Sequence, residues 1–255
     1  RCSDGNYRIA IYLAKAINKV DNIGILKDNN LLDRLFYQGG TIDEKLMKVG
    51  KVCSLFYSFN NNYEECDSNE LNIISKIADI PASEIINNIE ILRKRQIVQR
   101  RGDMRAILPH ALANRLASDY LNHYPIEKKL NLINSNNRLL ISFFRRLKNI
   151  HNNEKALTIA NDYLMNLEDN DLVNANDCLI EILKCINILH PTKLLYRVNK
   201  ISDSKFFTRD NPHFYDWVLM LSYTAYDKEY FQASVENIIK FALSEEPRVN
   251  NNSIH

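Results

Sequence analysis

Residues 68–121, SNELNIISKIADIPASEIINNIEILRKRQIVQRRGDMRAILPHALANRLASDYL, constrain the fold more than any other stretch. Leu71, Ile74, Ile77 and Ala78 recur at helical spacing, as do Ile85, Ile86, Ile89 and Leu92 after the short turn DIP. Ser68 is the expected cap of the first helix, and Ser83 or the Pro81 bend the start of the second. The period then changes: QIVQR reads as a strand, Gly102-Asp103 as a tight turn, and RAIL as the returning strand. Pro109 opens a further helix and keeps Leu108 extended. An earlier helix, TIDEKLMKVGKVCSLFYSF, carries a Thr41–Glu44 capping box and an apolar face of Leu46, Val49, Val52, Cys53 and Phe56. Helices followed by a two-stranded wing are the winged helix-turn-helix order.

The rest of the chain is helical in pattern. DGNYRIAIYLAKAINKV places Ile9, Leu13, Ala16, Ile17 and Val20 on one stripe, and NNLLDRLFYQ reads as a second helix. Beyond Tyr124-Pro125, helices are expected near 135–150, 152–166, 174–189, 191–201, 213–226 and 228–244, with Asn/Asp-rich joints HNNE and LEDNDLVNAND between them. Short helix pairs joined this way suggest a helical-repeat array, with a globular bundle as the alternative. The expected organisation is a mainly α chain: a helical lid over 1–42, a winged helix with a small β-hairpin over 43–124, and helical repeats over 125–255. Only 6 glycines and 6 prolines in 255 residues fit that reading.

Composition excludes several functions. A formal net charge of +2 gives no bulk attraction to nucleic acid or membrane. No apolar run has transmembrane length. Five cysteines, Cys2, Cys53, Cys66, Cys178 and Cys185, form no CxxC pair and read as buried, reduced thiols, as in a cytoplasmic protein. Six histidines are scattered without metal-ligand spacing. GxxxxGK[ST], GxSxG and HExxH are all missing, so no self-contained catalytic site is expected. Starting at Arg1 and entering a helix at once, the sequence reads as a piece of a longer protein.

Two features carry chemistry. Arg93, Lys94, Arg95, Arg100, Arg101 and Arg105 form a local basic patch at the wing, suited to phosphate backbone or to an acidic partner. Against DNA reading, the helix before the wing is expected to expose Glu84, Asn87, Asn88 and Glu90, whose two carboxylates repel phosphates. His110 lies in the first turn of its helix, beside free backbone N–H groups that favour an anion. A neutral imidazole donating to a phosphate oxygen suits that place; a packing histidine is the plain alternative. Aromatics in NPHFYDWVLMLSYTAYDKEYF (Phe214, Tyr215, Trp217, Tyr223, Tyr226, Tyr230 and Phe231) are expected to be mostly core, with a partner site as the alternative.

The order DGNYRIAIYLA, helices, then a winged helix ending LPHALANRLA resembles the C-terminal half of a STAND-class P-loop NTPase, the class of NB-ARC and NACHT regulators and bacterial antiviral ATPases. In NB-ARC proteins a Gly-x-Pro motif opens the lid; Gly5-Asn6-Tyr7 stands at its place, with Tyr7 for the proline and Arg8 as a further lid candidate. A Met-His-Asp triplet contacts the ADP β-phosphate through its His; here Pro109-His110-Ala111 keeps the His and the following Leu112 but not the Asp. LHPTKLLYRVNKIS and YDKEYFQASVENIIKFALSEE resemble the repeats that sense a viral protein in antiphage members. The resemblance implies ATP/ADP with Mg in the full-length protein, held by a P-loop upstream of Arg1, and none bound by this piece alone. It also implies a protein ligand, possible viral origin included, on the repeats and homo-oligomerisation when active. A winged-helix DNA-binding regulator and a helical interaction scaffold remain the alternatives.

Overall fold

The computed structural model describes residues 43–202 and 204–243. The lid expected over 1–42, with Gly5, Asn6, Tyr7 and Arg8, lies outside the described residues. The protein is mainly helical, with twelve α-helices and one small antiparallel sheet among the described residues. It divides into two compact units at Ile150/His151.

In the first unit α1 (Glu44–Ser54) starts where the Asp43 carboxylate accepts from Leu46 N at 3.0 Å. Asp43 is therefore the cap, one residue before the Glu44 that was expected to close a box with Thr41. Leu46, Val49, Val52 and Cys53 bury one face of α1, mainly against α4 (His110–His123), which buries Leu112, Ala113, Leu116 and Ala117. Each such leucine or valine contributes about 1.5–3 kcal/mol to the core. α2 (Glu70–Ala78) is capped by Asn69, which accepts from Asn72 N at 3.1 Å, not by Ser68. It stops at Asp79, whose φ of 52° a helix interior cannot hold. α3 (Ala82–Lys94) begins directly after Pro81.

The hairpin forms as expected, with β2 (Val98–Arg101) and β3 (Met104–Ile107) joined at Gly102, φ 57°. A side chain there would be strained by that backbone. A third strand, β1 (Phe59–Asn60), pairs on the far side of β3, so the sheet order is β1-β3-β2. Two residues show no readable alternation, which is why only a two-stranded wing was expected. Arg105 faces Arg100 on one side and Phe59 on the other.

The first unit does not end with α4. After α5 (Leu130–Asn134), α6 (Asn137–Leu147) caps on Asn136 and runs beneath the chain that leads into β1. Arg138 forks onto the buried Glu70 carboxylate and also donates to Ser58 O at 3.3 Å. Ser142 holds Tyr57 and Ser58 by three bonds: its carbonyl accepts from Tyr57 N at 3.0 Å, its Oγ accepts from Ser58 N at 2.8 Å, and that hydroxyl donates to Ser58 O at 2.5 Å.

The second unit is all helix: α7 (Glu154–Met165), α8 (Asp169–Val173), α9 (Asp177–Leu189), α10 (Pro191–Lys200), α11 (Phe214–Thr224) and α12 (Phe231–Leu243). α8 occupies the polar joint LEDNDLVNAND, where the Asp171 carboxylate accepts from Glu168 N at 2.7 Å. α9 packs on α7, α10 and α11, and α12 on α10 and α11. Phe206, Trp217 and Phe241 interlock in the core, Phe206 lying 5.0 Å from Trp217 and 5.6 Å from Phe241.

Candidate functional site

The pleat of the wing makes a surface. Along β2 and β3, Val98 and Ile107 turn toward the core, so Gln99, Arg101, Met104 and Ala106 share the opposite face. Those four residues floor a cleft of about 450 Å³. One end of it is walled by Tyr57 and His110, 53 residues apart in sequence. Their rings stack with centroids 4.9 Å apart and planes 17° from parallel, and Tyr57 Oη lies 3.3 Å from His110 Nε2.

His110 is the first residue of α4, after a cis Leu108–Pro109 bond. Pro109 occupies the N-cap, not the first helical position, and no side chain caps this helix. The ring is half-buried in the cleft wall, so it is not sealed in the core. The residues lining the cleft include Arg101, Arg105, Ser58 and His110 and no carboxylate. Such a donor set suits an oxyanion.

Behind Tyr57 lies Arg146, with no solvent exposure. Its guanidinium carbon sits over the Tyr57 ring, 5.7 Å from the centroid. Nη1 donates to Asn114 Oδ1 at 2.5 Å and Nη2 to the Phe56 carbonyl at 3.4 Å, while Nε has no partner. Burial pushes its pKa down to about 10, against the opposite pull of Tyr57, so it stays charged at neutral pH. Sequence reading missed both Tyr57 and Arg146. Arg146 belongs to an Arg-Arg pair in the last turn of a helix, where cations are ordinarily solvated.

The basic patch divides. Lys94, Arg100 and Arg101 are exposed. Arg95 is half-buried, and Arg93 pairs with Glu90 at 2.7 Å. Arg105 is a correction: grouped with the surface arginines, it is only 6% exposed. Its Nη1 reaches back to Gly102 O at 2.9 Å and Met104 O at 3.1 Å, which ties it to the hairpin turn. Burial, with Arg100 adding to it, pulls its pKa below the ordinary arginine value. On α3, Asn88 is buried and donates to Glu84 O, whereas Glu84 pairs with Lys45 at 2.9 Å. The expected face of two free carboxylates and two amides is therefore not what α3 presents.

In the second unit the aromatics were expected to be mostly core, but of the seven only Phe214 and Trp217 are buried. Tyr215, Tyr223, Tyr226 and Phe231 are exposed by 69, 63, 89 and 56%. Tyr215, Leu219 and Tyr223 lie four residues apart and make one outward stripe of α11. Among the described cysteines Cys53 and Cys185 are buried and Cys66 is exposed, against the expectation of buried thiols. No disulfide joins the described cysteines.

Among the described residues no group of three His, Cys, Asp or Glu side chains is placed to hold a metal ion. No described helix is long and apolar enough to cross a membrane. Comparison with protein-family models, with curated proteins and with solved structures finds no match. The class that fold and site define is structural: a mainly helical protein with a winged-helix unit and an aromatic, cationic cleft at the wing.

Proposed function

We propose that this chain is the switching part of a STAND-class P-loop NTPase, in which the winged helix meets the phosphate of a nucleotide held by a neighbouring module. The observation that carries this reading is the position of His110: at the uncapped start of α4, half-buried, in a cleft lined by cations and no carboxylate. ATP or ADP, with Mg, is the nucleotide; it supplies the phosphate that His110, the α4 N–H groups and Arg101 would hold. Contact with ADP favours the closed arrangement, and a protein ligand on the helical unit favours the open, oligomerising one. The exposed Tyr215–Leu219–Tyr223 stripe supports a ligand face on that unit. The setting is the cytoplasm, in antiviral defence.

The test is ADP affinity of the complete protein with His110→Ala. Loss of one hydrogen bond to a charged group predicts a drop of about tenfold or more. Unchanged affinity would remove the contact.

A second reading, DNA binding, is favoured by the exposed Lys94, Arg100 and Arg101. It expects salt-dependent binding to duplex DNA that Arg100→Glu with Arg101→Glu abolishes. Absence of binding at low salt sinks it.

A further inference from the structure

A buried guanidinium without a carboxylate is costly, so its retention needs a reason in the surrounding geometry. Arg146 reaches the elements that carry both halves of the stacked pair from one place. Asn114, which takes its Nη1, lies one turn after His110 on α4. Phe56, which takes its Nη2, precedes Tyr57, and the Tyr57 ring itself lies under the guanidinium. A second brace reaches the same segment from the same helix through Ser142. The Arg146 fork thus spans the helix that carries His110 and the strand lead-in that carries Tyr57.

We infer that Arg146 is a positioning residue: it locks Tyr57 against the His110 imidazole and so fixes the direction in which that ring meets a phosphate. The ligand part rests on the reading above; the locking part does not. A planar five-donor fork suits this task and a lysine ammonium does not, because a point charge cannot hold two acceptors at a set angle. Tyr57 acts as the wall that the imidazole leans on.

The experiment uses the 255-residue chain and the ring proton signals of His110, assigned by their loss in His110→Gln. Stacking on Tyr57 displaces those signals, and Tyr57→Leu supplies their unstacked position. With no ligand present, Arg146→Met is expected to move them more than halfway to that position while amide dispersion of the winged-helix unit is kept. Arg146→Lys is expected to move them too, since it keeps the charge and loses the fork. Signals that stay at the wild-type position in either folded variant overturn the inference. Should neither fold, Asn114→Ala cuts only the tie to α4 and decides the matter: a partial move supports the lock, no move refutes it.

Inorganic pyrophosphate then separates the two claims. If it shifts His110 in the wild type, Arg146→Met should weaken it about tenfold, the weight of one interaction with a charged group; equal affinity refutes a role in phosphate contact. If pyrophosphate leaves wild-type His110 unmoved, the phosphate reading is decided by ADP affinity of the complete protein with His110→Ala, and the lock is judged on the ligand-free spectra alone.

Discussion

Arg146 of the winged-helix unit and Arg197 of the helical unit are both buried, and the two are satisfied in different ways. In the helical unit Arg197 donates to the carbonyls of Leu164 at 3.0 Å and Leu167 at 2.7 Å and pairs with Asp169 at 2.9 Å. Leu164 lies in the last turn of α7 and Leu167 just past its cap, so Arg197 closes the end of a helix and carries its own counter-charge. In the winged-helix unit Arg146 has one amide, one long carbonyl bond and an aromatic face, with no carboxylate. One arginine is fully explained by the fold. The other keeps a positive charge without a carboxylate behind the cleft wall, and its bonds tie together the segments that carry Tyr57 and His110. A difference of that kind separates a structural polar group from one retained for a site.

The largest effect expected from this comparison is in the helical unit. Arg197→Met takes a donor from the Leu164 and Leu167 carbonyls and removes the partner of the largely exposed Asp169, which should cost about 2 kcal/mol. Trp217 is the chain's one tryptophan and sits in that unit's core, so denaturant unfolding followed by its fluorescence reads this unit directly. A loss under about 1 kcal/mol would break the comparison. Arg146→Met is the counterpart. Replacing an uncompensated buried charge by an apolar chain of similar volume should change unfolding of the winged-helix unit by less than about 1 kcal/mol, in either direction. A loss as large as that of Arg197→Met would make Arg146 an ordinary core group.

The two units were also unequally legible in the sequence. The wing was readable because Gly102 supplies the positive φ its turn demands and because alternation put Gln99, Arg101, Met104 and Ala106 on one face. His110 was readable because Pro109 marks the start of its helix. Tyr57 was not, since no local period links it to a residue 53 positions on. Nor was Arg146, whose burial depends on α6 packing beneath the β1 lead-in, a contact that no spacing within α6 encodes. In the helical unit the apolar period found the long helices but not α8, whose five residues, two of them acids and one the buried Leu172, are too few to show a period. The α11 aromatics misled because Phe214 and Tyr215 look alike by type, whereas the helix turns one inward and the other outward.

A smaller effect concerns acid. Burial raises the Asp216 pKa, but bonds from Lys184 at 2.8 Å and from His213 at 3.3 Å outweigh it and hold the carboxyl below its usual 3.8. A depressed folded-state pKa adds stability that is complete above the unfolded value and is lost as pH falls through the folded one. The helical unit should therefore lose part of its stability as pH drops below 3.8. Lys184→Met removes the stronger bond, so its stability curve should fall less steeply in that window. An unchanged acid slope would mean that Asp216 is not a linked group.

The smallest expected effect tests what the helical unit keeps on its surface. Tyr215 and Tyr223 bury little, so Tyr215→Ser with Tyr223→Ser should alter unfolding of this unit by no more than about 0.5 kcal/mol per site. That is the point of the substitution: it leaves the fold intact and strips one outward stripe. Arg146 predicts the same division in the other unit, where a change at little cost in stability alters the wall of the cleft. If the double variant stays folded and the complete protein loses its response to a protein ligand, both units share this economy of design. If it unfolds, the stripe belongs to the packing of α11, and the contrast between the two units rests on their arginines alone.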